Sequence, residues 1–260
     1  MTIAGTRSIL AAVFMLAIRL AYSRHQKNKT TSIAAMLKQA PMLAVFGMSY
    51  TATMILFVIA NKLTASANAI MLQYASPIWA ALLGWFFLKE KPRWEHWCAL
   101  VLVSLGMFWV FSDGLSTGAL LGDILALISG ITFGANSIAL RARKEGNTAD
   151  ILLFAHILCA LIAIPFFFMH PPSLNAQSIL SIILMGFFQL GLASVLFAYG
   201  IKRVPAVQAM LTATIEPVMN PVWVLLVTGE RPAFSVIAGG SLIIAAVIFS
   251  STLSALRRRN

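Results

Sequence analysis

Apolar residues recur along the whole chain in long stretches separated by short polar punctuation. About 20 consecutive apolar residues, wound as a helix, cross the hydrocarbon core of a bilayer. Nine stretches reach that length, at 4–22, 41–60, 65–88, 95–112, 119–140, 150–169, 178–200, 206–228 and 233–254. The pattern predicts an all-α fold, a polytopic transmembrane helix bundle. The stretches are called spans 1 to 9.

Composition agrees, with 60% hydrophobic and 10% charged residues. The chain carries 19 Lys and Arg against 8 Asp and Glu, a net charge of +11. In a soluble protein that excess would point to nucleic acid. Here the basic residues gather in alternate loops instead, so no nucleic-acid partner is expected. Arg24, Lys27, Lys29 and Lys38 follow span 1; Lys89, Lys91 and Arg93 follow span 3; Arg141, Arg143 and Lys144 follow span 5. Lys202 and Arg203 follow span 7, and Arg257, Arg258 and Arg259 end the chain. The opposite loops hold only Lys62 and Arg231. Lys/Arg excess marks the cytoplasmic side, so the C-terminus is expected inside a bacterial inner membrane. Nine spans then put Met1 outside, which leads to the expectation of one further helix ahead of it. Cys98 and Cys159 lie within spans and read as small apolar residues, without a disulfide or metal-ligand pattern.

Residues 60–92 align with 200–232 at a fixed offset of 140. Lys62 meets Lys202, Ala69 meets Ala209, Pro77 meets Pro217, Glu90 meets Glu230 and Pro92 meets Pro232. The shared pattern is a helix with a central proline, then a Glu-basic-Pro turn. The offset covers five spans, an odd number, so the second copy is inverted in the membrane. Inverted repeats are the architecture of many secondary transporters. The expected division is 1–113 and 114–260, the two parts of an inverted five-helix repeat with nine helices present of ten. Spans 3 and 8 are expected antiparallel near the pseudo-two-fold axis, each bent at its proline.

The motifs Gln73-Tyr74-Ala75-Ser76-Pro77-Ile78-Trp79 to Leu88-Lys89-Glu90-Lys91, and Ile215-Glu216-Pro217-Val218 to Thr228-Gly229-Glu230-Arg231, resemble the EamA-type permeases of the drug/metabolite transporter superfamily. Gly122-Asp123, and Arg7 at the entry to the family's second helix, fit the same pattern. The resemblance covers essentially the whole chain. It implies a metabolite permease, often an exporter, of the bacterial inner membrane.

Polar residues inside the spans are the candidate binding residues. Glu216 lies deep in span 8, where a carboxylate costs about 2.5–3.5 kcal/mol unless it has a partner, a proton or a wet cavity. Gln208, Thr212, Glu216 and Asn220 are spaced by four, a slowly winding stripe on one helical face. Two readings of Glu216 stand: the ionisable centre of a cavity, or a cap for backbone groups freed by Pro217 and Pro221. Gln73 and Tyr74 add polar atoms in span 3, and Asn136 falls on one face with Ser129 and Thr132 in span 5. His156 in span 6 and Gln189 in span 7 complete the candidate substrate-binding set. Interhelical hydrogen bonding and packing are the competing roles for each. Ser76, Ala80 and Gly84, and likewise Gly130 and Gly134, form small-residue rows suited to close helix contact. Glu90 and Glu230 are expected to pair with basic residues beside them, as a gate or hinge contact.

No phosphate-binding GxxxxGK[ST] loop occurs, and no HExxH or Gly-x-Ser-x-Gly motif. An ATP-driven pump and an intramembrane enzyme are therefore disfavoured, and no cofactor, metal or catalytic residue is expected. The expected function is a secondary transporter of small organic metabolites working by alternating access, with Glu216 the candidate for coupling to protons. A non-transporting membrane fragment or scaffold is the alternative. The expected partners are a small-molecule metabolite and the lipid bilayer, with homodimerisation compatible.

Overall fold

The computed structural model describes residues 2–25, 40–117, 119–143, 148–169, 175–229 and 231–259. Lys27, Lys29, Lys38, Lys144 and Glu230 lie outside the described residues, so the expected Glu230 pairing does too. The helices are α1 Thr2–His25, α2 Ala40–Leu63, α3 Ser66–Gln73, α4 Ser76–Leu88, α5 Trp94–Phe111 and α6 Leu120–Ala142. They continue as α7 Thr148–Met169, α8 Ala176–Leu184, a π-helical segment Met185–Leu192, α9 Ala193–Gly200, α10 Ala206–Ala213, α11 Ile215–Thr228 and α12 Phe234–Arg259. All nine expected spans are helical. Eight helices among the described residues are long and apolar enough to cross a membrane. In the hydrocarbon every backbone N–H and C=O must be satisfied internally, so a chain of such stretches folds as helices.

Two spans are interrupted, and proline chemistry fixes where. Proline removes an N–H and its ring clashes with the carbonyl four residues back. For Pro77 that residue is Gln73, the last of α3, and for Pro217 it is Ala213, the last of α10. Each proline thus falls in the first turn of the next helix, where N–H groups have no intrahelical partner to lose. The break residues Tyr74, Ala75 and Thr214 all have ψ within a few degrees of zero. Tyr74 N still donates to Ile70 O at 2.9 Å, and Thr214 N to Leu211 O at 3.2 Å. The two helices then end alike: Lys89 and Gly229, again 140 apart, take the left-handed conformation with φ 56° and 77°. That backbone suits a helix C-terminus and favours glycine.

The chain forms two compact units. One comprises Met1–Ile55 with Arg143–Arg203, the other Leu56–Ala142 with Val204–Asn260. In the first, α1 packs against α7 and the π segment. Gly5 lies against Ala163 and Phe167, Gly186 against Leu10, and the Phe14 and Phe187 rings meet edge-on at 5.8 Å. Arg19 and Asp150 form an ion pair at 3.2 Å.

In the second unit α5 and α12 pack most closely. Gly106 and Gly239 face each other so tightly that a Cβ on Gly239 would sit 2.5 Å from Gly106 O. Ala99, Val103, Met107, Ile243 and Val247 fill the core around them. In lipid such contacts come from small residues and close packing rather than from expelling water. The small-residue row of α6 acts on the broken helix. A Cβ on Gly130 would lie 2.8 Å from Leu72 O, and one on Gly134 2.9 Å from Ser76 O. Glycine at both positions lets the α6 backbone press against the break between α3 and α4.

Candidate functional site

The break in each interrupted helix positions a polar side chain, and the two meet. Tyr74 stands at the first break, and Glu216 is the second residue of α11, just past the other. The Tyr74 hydroxyl donates to Glu216 Oε2 at 3.0 Å. Both residues belong to the second unit, where α10 also packs on α4. Glu216 is exposed and Tyr74 partly so. The arrangement presents an accessible acid in a stretch that carries no other ionisable residue. Such a carboxylate can bind a cation or exchange a proton.

The remaining candidates of this unit divide. Gln73 turns away from the acid, and its Nε2 donates to Ser129 Oγ on α6 at 2.9 Å. Thr212 Oγ1 donates to the backbone of Gln208 at 2.9 Å. Gln208 is itself buried and tied to α12, donating to Ser251 Oγ at 2.9 Å and accepting from Ser250 Oγ at 2.8 Å. The four-residue stripe is therefore not one continuous wall, because the break at Thr214 interrupts the helical register between Thr212 and Glu216. Asn136 is buried in α6. Asn220 lies in α11, with its side chain outside the described residues. Asn68, the repeat counterpart of Gln208, ties α3 to the segment before α6. It donates to Ser116 O at 2.8 Å and to Asp123 Oδ1 at 3.0 Å, the carboxylate that also accepts from Thr64.

The other two candidates lie in the first unit, near the middle of their spans. His156 is fully buried, with Nε2 and Ser194 Oγ 2.9 Å apart and the ring edge-on to Tyr50 at 5.2 Å. Gln189 stands in the π segment, and its Oε1 accepts from Arg7 Nη2 at 2.9 Å. Sequence reasoning left Arg7 out of the candidate set, although a cation inside an apolar span is itself a signal.

At one end of the second unit a cavity of about 240 Å³ is lined by Ala80, Gly84, Lys91, Arg93, His96 and Ser254, among others. Glu95 is fully buried nearby, with guanidinium nitrogens of Arg93 and Arg257 at 3.9 and 3.5 Å. Glu90 at the same end pairs with Arg141 at 3.0 Å. The partner is on α6, so the contact ties the turn after α4 to another helix rather than to a neighbour in the same loop. Among the described residues no cluster of His, Cys, Asp and Glu could hold a metal ion.

The comparisons with known proteins concur with this architecture. The model of the EamA-like transporter family matches residues 1–112 and 120–252. The pseudopaline exporter CntI of Pseudomonas aeruginosa is 27% identical over 225 residues, covering 85% of this chain and 78% of that protein. An uncharacterized transporter of Archaeoglobus fulgidus is 26% identical over 209 residues, covering 80% and 74%. A solved crystal structure superposes with a TM-score of 0.81 at 17% identity, over 100% of this chain and 89% of its own, which establishes the fold. The chain is a multi-pass membrane protein and belongs to the EamA-like transporter family.

Proposed function

We propose that this chain is a secondary transporter that exports small organic metabolites across the bacterial inner membrane by alternating access. The observation that carries the reading is the Tyr74–Glu216 contact at the paired helix breaks. Helices interrupted at equivalent points of an inverted repeat are where transporters of this kind bind substrate and coupling ions. Glu216 takes the coupling proton or a cationic group of the substrate, and Tyr74 orients its carboxylate. Export as the direction is supported by the named relative, a pseudopaline exporter. The division into repeats at 1–113 and 114–260 is supported by the two blocks, 1–112 and 120–252, in which the family model matches. The C-terminus faces the cytoplasm, on the strength of the loop charges.

The test is counter-flow in proteoliposomes. Vesicles loaded with a mixture of unlabelled amino acids, nucleosides and organic acids are offered trace labelled forms of each. Protein-dependent uptake of any label, with acceleration by a pH gradient that Glu216→Gln abolishes, supports the reading. Absence of uptake of every label overturns it in favour of a non-transporting membrane protein.

A further inference from the structure

We propose that the cavity at the basic end of the second unit is a headgroup site, which takes the phosphate of an anionic phospholipid. Such a site needs only the bilayer, not transport. The cavity lies where four helices end or begin. Gly84 stands one turn from the end of α4, His96 in the first turn of α5 and Ser254 near the end of α12, while Ala206 opens α10. Ends of membrane spans lie at the depth of the lipid headgroups. The volume, about 240 Å³, is below the roughly 300–1,000 Å³ of pockets for drug-sized ligands. It suits a headgroup rather than a whole amphiphile.

The charges and donors suit a phosphate. Lys91 and Arg93 line the cavity, and among the described residues Lys91 has no ion-pair partner. Arg93 reaches Glu95 at 3.9 Å, too long for a hydrogen bond. Glu90 also lines the cavity, but its Oε1 is held by Arg141 at 3.0 Å, and Arg257 pairs with Glu95 at 3.5 Å. Four cations thus stand against two carboxylates at this end. His96 is buried and its tautomer is fixed. The Arg93 backbone N–H donates to His96 Nδ1 at 3.1 Å, so Nε2 carries the proton and donates to Ser254 Oγ at 3.3 Å. The Ser254 hydroxyl, accepting from His96, keeps its own proton for an acceptor in the cavity. An ammonium, a guanidinium and a hydroxyl together make a donor set for phosphate oxygens.

The setting favours a lipid over a free anion. Ala80, Ala81, Pro92 and Pro205 make the rest of the wall small and apolar. Just outside, Phe86 and Phe87 on the last turn of α4 are exposed, as are Trp94 and Trp97 at the start of α5. Trp94 packs edge-on against Phe249 of α12, with centroids 5.8 Å apart. Aromatic side chains of this kind sit at the headgroup level of a bilayer. They give acyl chains an apolar path beside the polar cavity. Basic pockets between transmembrane helices bind anionic headgroups in this way.

The test is lipid binding to delipidated protein in detergent. Phosphatidylglycerol, phosphatidylcholine with the same acyl chains, or inorganic phosphate is titrated in, and bound molecules are resolved by native mass spectrometry. Wild type should bind the first phosphatidylglycerol about five- to tenfold more tightly than phosphatidylcholine, whose quaternary ammonium the cations repel. Lys91→Gln should remove about fivefold of that affinity. Lys89→Gln makes the same charge change two residues away, outside the cavity lining, and should stay within about twofold of wild type. Ser254→Leu fills the cavity without altering charge and should weaken binding too. Where Ser254→Leu fails to accumulate, the comparison of Lys91→Gln with Lys89→Gln decides. Equal losses in those two variants would mean diffuse attraction to a basic surface and overturn the site. Equal affinity for the two lipids overturns it as well. Displacement of the lipid by inorganic phosphate at equal concentration would make the occupant a free anion and overturn the lipid assignment.

Discussion

Tyr74 and Glu216 are 142 residues apart in the chain, yet their side chains share one hydrogen bond of 3.0 Å. Each is delivered by a helix break that a proline imposes. Glu216→Gln keeps the shape and the hydrogen bond but removes the charge. It should abolish gradient-driven transport while leaving the amount of protein in the membrane unchanged. Tyr74→Phe loses only the orienting hydrogen bond, worth about 1–3 kcal/mol to a charged acceptor, and should slow transport about tenfold. Initial rates in proteoliposomes, normalised to reconstituted protein, measure both. A Glu216→Gln protein that is scarce but fully active per molecule would make the carboxylate a structural group.

Gln208 offers the contrasting case. It is 4% exposed and bonds two serines of α12, so its role is to hold helices together. Gln208→Leu leaves two hydroxyls without their partner and should destabilise the protein by about 1–2 kcal/mol. Transport per molecule should be unaffected. Thermal unfolding in detergent reads the first effect and the proteoliposome rate the second.

A methyl group at Gly130 has nowhere to go. Its Cβ would lie 2.8 Å from Leu72 O and 3.0 Å from Gln73 O, both backbone atoms at the break. Gly130→Ala should lower stability by about 1–3 kcal/mol, the usual range for overpacking. At Gly200 an added Cβ meets nothing within 4 Å, so Gly200→Ala should melt like wild type. Parallel melts of the two variants test the pair.

Arg141 is 9% exposed and its Glu90 partner 28% in their side chains. Partial burial places this pair between a surface bridge and a buried one, so Arg141→Leu should cost about 1–3 kcal/mol. Glu90→Gln keeps an acceptor for the guanidinium and should cost less. The order of the two melting temperatures is the readout, and equal values would show that the charge of Glu90 carries nothing.

The loop charges predict where labels reach. With Cys98 and Cys159 replaced, a single cysteine at position 144 should resist a membrane-impermeant maleimide in intact cells and react in inverted vesicles. Labelling in intact cells would reverse the assigned orientation.

Span boundaries were legible because hydropathy alone decides them. The sequence expectation of 65–88 for span 3, for example, meets helices running from Ser66 to Leu88. The breaks were legible too, since Pro77 and Pro217 announce them, but which side chains converge there was not. Gln73 and Tyr74 are neighbours in sequence, yet one bonds Ser129 and the other Glu216. Successive residues already point to different faces, and periodicity does not say which neighbouring helix each face meets. The π segment was invisible because Met185–Leu192 reads as ordinary apolar helix. The Arg7–Gln189 contact joins residues 182 apart in the chain and was hidden as well.

The matched breaks also change what the backbone itself offers. An uninterrupted transmembrane helix keeps its two dipole ends at the membrane surfaces. Broken at Thr214, the same stretch places the positive end of α11 well inside the span, with Glu216 in its first turn. About half an elementary charge resides at such an end. The negative end of α10, at Ala213, lies one residue away, so the acid meets only the difference between the two poles.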